Sequence, residues 1–462
     1  MMELPMSVDD DPVRRSYRAL HRYASAPQPD DVFLDDMQTR IDAACHARVG
    51  RPDTERVAPG GTLRVLLLGY AGAGNTGADL RTIETIAQLP RVFPQHTVAP
   101  TLFALGTCFD HPLLAATPKV VPSLPYLPDV LDAAVRAADV VLNVEGSTYT
   151  SKFSDSLAGI LVGGVALARA HGRPALAYGV DSGAMSAALS GFVERNAALS
   201  GDVICRNDAA CAQLAAQGVA ATRGSDTAWS WRAPAPADDD SGKRRVVALC
   251  PNNPFWWPVR ADVARARALD ASGEQSPHRY GPLHFQSWDA QRALAYDAYL
   301  DRYAALACEL RERGYTPVLV GMEQLDRAAC ADLAARLPFE VEQVVRGAAA
   351  LSDVAATVAR AQCVVTTRYH AAVLAISHGV PVFGLSMDAR IDRLLDEAGC
   401  GGWFAACDAE DAVGLCLARI DTLEQPAQRV ALVAALDRYA AQERVRFDAM
   451  GDRLRAVVLG AG

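Results

Sequence analysis

From Arg64 onward, short uncharged apolar runs alternate with longer stretches whose apolar residues recur every three or four positions. Val65–Leu68, Leu102–Leu105, Val140–Asn143, Ala175–Tyr178 and Val203–Cys205 read as buried strands, with helices between them. A second set follows at Val246–Cys250, Pro317–Gly321, Cys363–Thr366 and Val382–Leu385, with an amphipathic helix at Arg292–Arg313. This alternation predicts parallel sheets covered on both faces. The fold class is therefore α/β, with two Rossmann-like doubly wound domains facing across a cleft and ligands at the carboxyl ends of the strands. Residues 1–60 read as a partly helical extension, with its helix near Val32–Val49. The first domain is placed at 61–232, an Ala-, Pro- and Asp-rich linker at 233–244, and the second domain at 245–425. A helix within 426–462 packs back on the body. Ala271–Asp289 is an insertion that either lines the cleft or runs over the surface.

A chain of 462 residues with 50% hydrophobic and 21% charged positions has the composition of an ordinary globular protein of two or three domains. Its net charge of −9 disfavours a general nucleic-acid binder, which must neutralise phosphates along a backbone. The longest uncharged apolar stretch, Leu157–Ala168, is too short to cross about 30 Å of hydrocarbon. Met1–Arg15 has acids where a signal peptide needs an apolar run, so a soluble cytoplasmic protein is expected. The eleven cysteines form no CxxC pair, which argues against a zinc ribbon, a redox centre or a disulfide framework.

Gly72-Ala73-Gly74-Asn75-Thr76-Gly77 follows the first strand and fits the dinucleotide fingerprint. However, no Asp or Glu lies between Gln88 and Phe109 to hold the ribose, so a nicotinamide or flavin is disfavoured. The glycines leave a helix N-terminus open to an anion or a sugar, or serve only a tight turn. The strongest local signal is Thr366-Thr367-Arg368-Tyr369-His370, which puts a fixed cation and a titratable imidazole where a strand gives way to a helix. The plain alternative is a salt-bridged Arg368 and a capping His370.

Only three of the 45 basic residues are lysines, so Lys152, after the third strand, stands out as a candidate ligand for phosphate or a hydroxyl, against a solvated surface position. Glu145, Asp155 and Asp181 also follow strands, as sugar ligands, bases or caps. Phe255, Trp256 and Trp257 are candidates to stack on a sugar or an apolar acceptor, or to anchor their loop.

On these residues the chain resembles the polysaccharide pyruvyl transferase family. Gly69 to Gly77 matches the family's Gly-x-x-Gly-x-x-Asn-x-Gly turn, and Thr366 to His370 its Ser/Thr-x-Arg-x-His segment. Glu145-Gly146-Ser147, Tyr178-Gly179, Cys205-Arg206-Asn207-Asp208 and Gly224-Ser225-Asp226-Thr227-Ala228 follow in family order. The shifted acid in Gly77-Ala78-Asp79 and the Val144-Glu145 in place of glycines mark a divergent branch.

The resemblance implies a glycosyltransferase-B-like arrangement and transfer of pyruvate from phosphoenolpyruvate to two hydroxyls of a sugar as a ketal, with no metal and no cofactor beyond the donor substrate. The partners are then a small-molecule donor and a sugar-like acceptor. Arg206, Arg368 and Arg390 are the expected donor ligands, since planar guanidinium forks bind carboxylate and phosphate. His370, Glu145 and Lys152 are the expected catalytic groups, with His370 either a proton donor or a phosphate ligand. Gly72, Gly74, Asn75, Gly77, Asp79, Ser147, Asp181, Trp256 and Trp257 complete the expected substrate site. A nucleotide-sugar glycosyltransferase and a non-catalytic sugar- or metabolite-binding protein are the competing readings, since a fold does not fix a reaction.

Overall fold

Two parallel sheets carry the computed structural model, which describes residues 11–460 apart from 51–56, 122, 125, 235–243, 277, 281–282 and 286–287. Most of the expected linker, the first ten residues of the extension and part of the insertion lie outside the described residues. The first sheet contains β1 (Thr62–Leu68), β2 (Thr97–Phe103), β3 (Lys119–Val120), β4 (Val140–Asn143), β5 (Ala175–Val180), β6 (Asp202–Cys205) and β7 (Ala221–Arg223). Its order is β3-β2-β1-β4-β5-β6-β7. Every residue of β4 and β5 is buried, as expected for strands with helices on both faces.

The second half begins with β8 (Val246–Cys250). A small antiparallel sheet follows, made of β9 (Val259–Ala261), β10 (Arg279–Tyr280) and β11 (Leu283–Phe285). The remaining strands are β12 (Thr316–Gly321), β13 (Glu342–Val345), β14 (Cys363–Thr366), β15 (Val382–Ser386) and β16 (Phe404–Ala406). The main sheet has the order β13-β12-β8-β14-β15-β16. Each large sheet therefore reverses its winding beside its first strand, between β1 and β4 and between β8 and β14. Loops leaving those strands diverge there and open a crevice.

Several elements add to the sequence reading. β3 and β7 are edge strands of two and three residues, too short for a periodic signal. β13 reads Glu-Gln-Val-Val with both polar residues exposed, and so lacks an apolar run. The insertion contributes β10 and β11, which makes it part of a sheet and not a plain loop.

Helices close both ends of the chain onto the body. In the helix Pro29–Arg48, Phe33, Met37 and Ile41 recur every four residues and are buried, each burial contributing about 1.5–3 kcal/mol. They lie on the helix Asp155–Ala170, where Gly159 and Gly163 lack the Cβ that would strike Leu34 and Met37 at 2.8 and 2.7 Å. At the other end, the helix Pro426–Leu459 returns to the first sheet, where Phe447 O accepts from Gln88 Nε2 at 2.8 Å. Among the described residues, no helix is long and apolar enough to cross a membrane.

Candidate active site

The two crevices face one another and are pinned together by backbone. After β1 the chain turns into the helix Thr76–Val92, whose N-cap Asn75 accepts from Ala78 N at 3.0 Å. Thr76 N donates to Met322 O at 2.9 Å, and Gln324 N donates to Gly74 O at 3.1 Å, so the turns after β1 and β12 touch. Beside this seam lies a cavity of about 390 Å³. Asn75, Gly77, Glu145, Ser147, Trp257, Arg368, His370 and Arg390 of the expected site line it.

His370 is set by its surroundings. Thr366 Oγ accepts from Arg368 N at 2.8 Å and closes the turn into the helix Tyr369–Ser377. The imidazole then lies against Gly77, with Nε2 3.4 Å from Asp226 Oδ2. Asp226 is buried and ionised, held well below the usual carboxylate range although burial alone would raise it; Arg81, His370 and Arg206 oppose that burial. Burial lowers the pKa of His370 more than Asp226 raises it. The ring is therefore neutral at pH 7. Asp226 favours the tautomer with its proton on Nε2, which leaves Nδ1 basic.

Arg368 meets two acids, with Nη1 3.0 Å from Glu323 Oε2 and Nε 3.0 Å from Asp326 Oδ2. Glu323 lines the cavity and is pushed up to about 7 by burial, against the opposing charge of Arg368. Across the cleft, Arg390 Nη1 donates to Ser147 Oγ at 3.0 Å, while its Nε and Nη2 each donate to Asp388 at 2.8 Å. Glu145 accepts from the backbone N–H groups of Tyr70 and Ser147, both at 3.2 Å.

Lys152 borders a second, adjoining cavity of about 640 Å³, which shares Ser147, Phe153, Met387 and Arg390 with the first. Its ammonium pairs with Asp388, and burial together with Arg390 lowers its pKa to about 8.

Six expected ligands stand elsewhere. The guanidinium of Arg206 is 1% exposed and spends its nitrogens on Asp181, at 2.6 and 3.0 Å, and on Asp226, at 3.0 Å. It lies behind the cavity wall and does not meet a donor directly. Asp79 is completely buried and accepts from Gly72 N at 3.0 Å and Arg346 Nη2 at 2.6 Å, which joins the two halves of the chain. Gly72 packs on Phe109 and Gly74 on Gln324, away from the cavity. Trp256 is buried and stacks on Phe285 at 4.6 Å, so of the tryptophan pair only Trp257 reaches the site. Asp181 borders the second cavity, with its carboxylate turned to Arg206 and Asn207.

Sequence reasoning missed Glu323, Asp226 and Arg81. Glu323 had a readable signal: it follows a strand end as Glu145 does. Arg81 had none, since its three partner carbonyls, Val144, Tyr178 and Gly179, are remote in the chain.

Residues 267–388 match the family model for polysaccharide pyruvyl transferase, a segment that contains Glu323, Arg368, His370 and Asp388. The match covers about a quarter of the chain, and that segment is similar to the polysaccharide pyruvyl transferase family. No curated protein matches the chain significantly. Among solved structures, a Listeria monocytogenes protein described as a UDP-N-acetylglucosamine 2-epimerase is 12% identical, with a TM-score of 0.54 over 83% of this chain and 95% of that one. MnaA of S. aureus with UDP is 11% identical, with a TM-score of 0.51 over 83% and 95%. At such identities the likeness is one of fold, and the fold is glycosyltransferase-B-like.

Proposed function

We propose that this protein transfers pyruvate from phosphoenolpyruvate to two hydroxyls of a sugar-like acceptor, at the polar end of the first cavity. The observation that carries the reading is the pairing of a neutral His370 with Glu323, which titrates near 7, in one cavity beside Arg368. Addition to the enol phosphate of phosphoenolpyruvate needs a base for the attacking hydroxyl and an acid for the methylene carbon. Two groups whose surroundings push their pKa values in opposite directions suit those roles.

In the first step, protonated Glu323 gives its proton to C3, which becomes a methyl group. One acceptor hydroxyl bonds to C2 and passes its proton to His370 Nδ1. In the second step, the bond from C2 to the phosphate oxygen breaks, and protonated His370 returns its proton to the departing phosphate. The second hydroxyl bonds to C2 and its proton goes to the Glu323 carboxylate. Both residues end as they began, and the products are a ketal and inorganic phosphate. Arg368 and Arg390 hold the donor carboxylate and phosphate, and the N-terminus of the helix Thr76–Val92 adds a favourable field for an anion. Glu145 and Ser147 orient the acceptor.

The test is thermal stabilisation by phosphoenolpyruvate beside a panel of nucleoside diphosphates and nucleotide sugars, since a ligand of the folded state raises its melting temperature. A shift with phosphoenolpyruvate that Arg368→Ala abolishes supports pyruvyl transfer. A shift with nucleotides alone replaces this reading with glycosyl transfer.

A further inference from the structure

Past its polar end, the first cavity continues into an arm with aliphatic and aromatic walls. Leu20, Tyr23 and Phe33 come from the helices Pro12–Ser25 and Pro29–Arg48, Leu157 and Ile160 from the helix Asp155–Ala170, and Leu283 from β11. These walls converge from four separate parts of the chain. Tyr23, Phe33 and Tyr126 form a trio with ring centroids 5.9 to 6.2 Å apart, and Ser156 Oγ donates to Tyr23 Oη at 3.4 Å. At the junction with the polar end, Trp257 meets Phe153 edge-on at 4.9 Å. β9 is tied to the same place, where Val259 N donates to Phe153 O at 2.9 Å.

Phosphoenolpyruvate is small and anionic and has no use for this surface. Sugar hydroxyls against Leu20, Leu157 and Leu283 would face carbon and go unpaired, which is costly away from water. An apolar surface continuous with a reacting site is matched by an apolar part of the reactant.

We propose that the acceptor carries a hydrocarbon chain close to the hydroxyls that receive pyruvate, and that the arm holds this chain. The word acceptor rests on the pyruvyl-transfer reading; the arm's preference for hydrocarbon does not. The N-terminal helices are then specificity elements, lying outside the segment that matches the family model.

The experiment titrates n-alkyl β-D-glucopyranosides, methyl to octyl and each below its micelle concentration, into the full chain by calorimetry. Affinity rises about fourfold for each added methylene until the arm is filled. Leu20→Gln and Leu157→Gln, made separately in case one fails to fold, flatten the series, and circular dichroism checks that each variant is folded. An affinity independent of chain length, or a rise that survives both substitutions, overturns the proposal. Phosphoenolpyruvate stabilisation is measured on the same samples. If it is absent while the series rises and responds to the substitutions, the arm stands and the donor reading falls. If it is present while the series is flat, the arm falls and the donor reading stands.

Discussion

The imidazole of His370 occupies the space that a side chain at position 77 would fill: a Cβ built on Gly77 falls 2.0 Å from His370 Nδ1. Gly77 sits in the first turn of its helix, among helical backbone that alanine adopts readily. Gly77→Ala is therefore expected to push the ring from its place, with the overpacking costing about 1–3 kcal/mol of stability. Misplacement by about 1 Å costs on the order of a hundredfold in rate. Phosphate release with saturating phosphoenolpyruvate measures the loss, and a rate within twofold of the parent would show that the imidazole's position is not needed.

His370→Ala removes the base itself. The side chain is 18% exposed, and its loss leaves Asp226 with both Arg81 and Arg206, so the fold persists. Turnover falls by about 10² to 10⁴, the usual contribution of a positioned acid or base. Donor-induced stabilisation survives, because Arg368 and Arg390 remain. A variant that turns over normally would remove His370 from the chemistry.

The two winding patterns and the Arg-x-His turn were legible because each is local: buried strands of four to seven apolar residues, and a cation and an imidazole two positions apart. Residues that act by pairing were not. Arg206 looked like a donor ligand because it ends a strand, yet Asp181 and Asp226, 25 positions before it and 20 after, hold its guanidinium behind the wall. Asp79 looked like a sugar ligand, and its partner Arg346 lies 267 residues away. The apolar arm was hidden for the same reason. Leu20 and Tyr23 lie in a helix whose residues are mostly exposed, and only packing brings them to Leu157.

The burial of Arg206 leads to a stability prediction. Asp181 and Asp226 are both held below their ordinary value of 3.8, although burial opposes this; Arg206 is the leading cause for Asp181, and Arg81 leads for Asp226. Depressed carboxylates contribute stability above 3.8 that is lost as the pH falls through their folded values. Arg206→Ala strands buried charge and lowers stability by about 3–5 kcal/mol near neutral pH. The gap to the parent narrows below pH 4, where the unpaired acids protonate. Denaturant melts at pH 7 and about pH 3 measure both, and equal gaps at the two values would overturn this account of Arg206.

Glu323 gives the sharpest test, because stability and rate respond to its one proton. Burial raises it from 4.5 to about 7. Between those values the folded chain holds a proton that the unfolded chain has lost, so stability falls as pH rises from about 4.5 to about 7. Glu323→Gln has no proton to lose there, and its melting temperature declines less over that window. In the rate, protonated Glu323 is the acid, so kcat/KM falls as pH rises through about 7. Neutral His370 is the base, so the acid limb lies below the ordinary imidazole value of 6.5. The parent profile is thus a bell with its maximum near neutrality. In Glu323→Gln the rate drops by about 10² to 10⁴ and the alkaline limb disappears while the acid limb stays. If the alkaline limb persists in that variant, the proton reaching the methylene carbon comes from another group, and Glu323 serves only to hold Arg368.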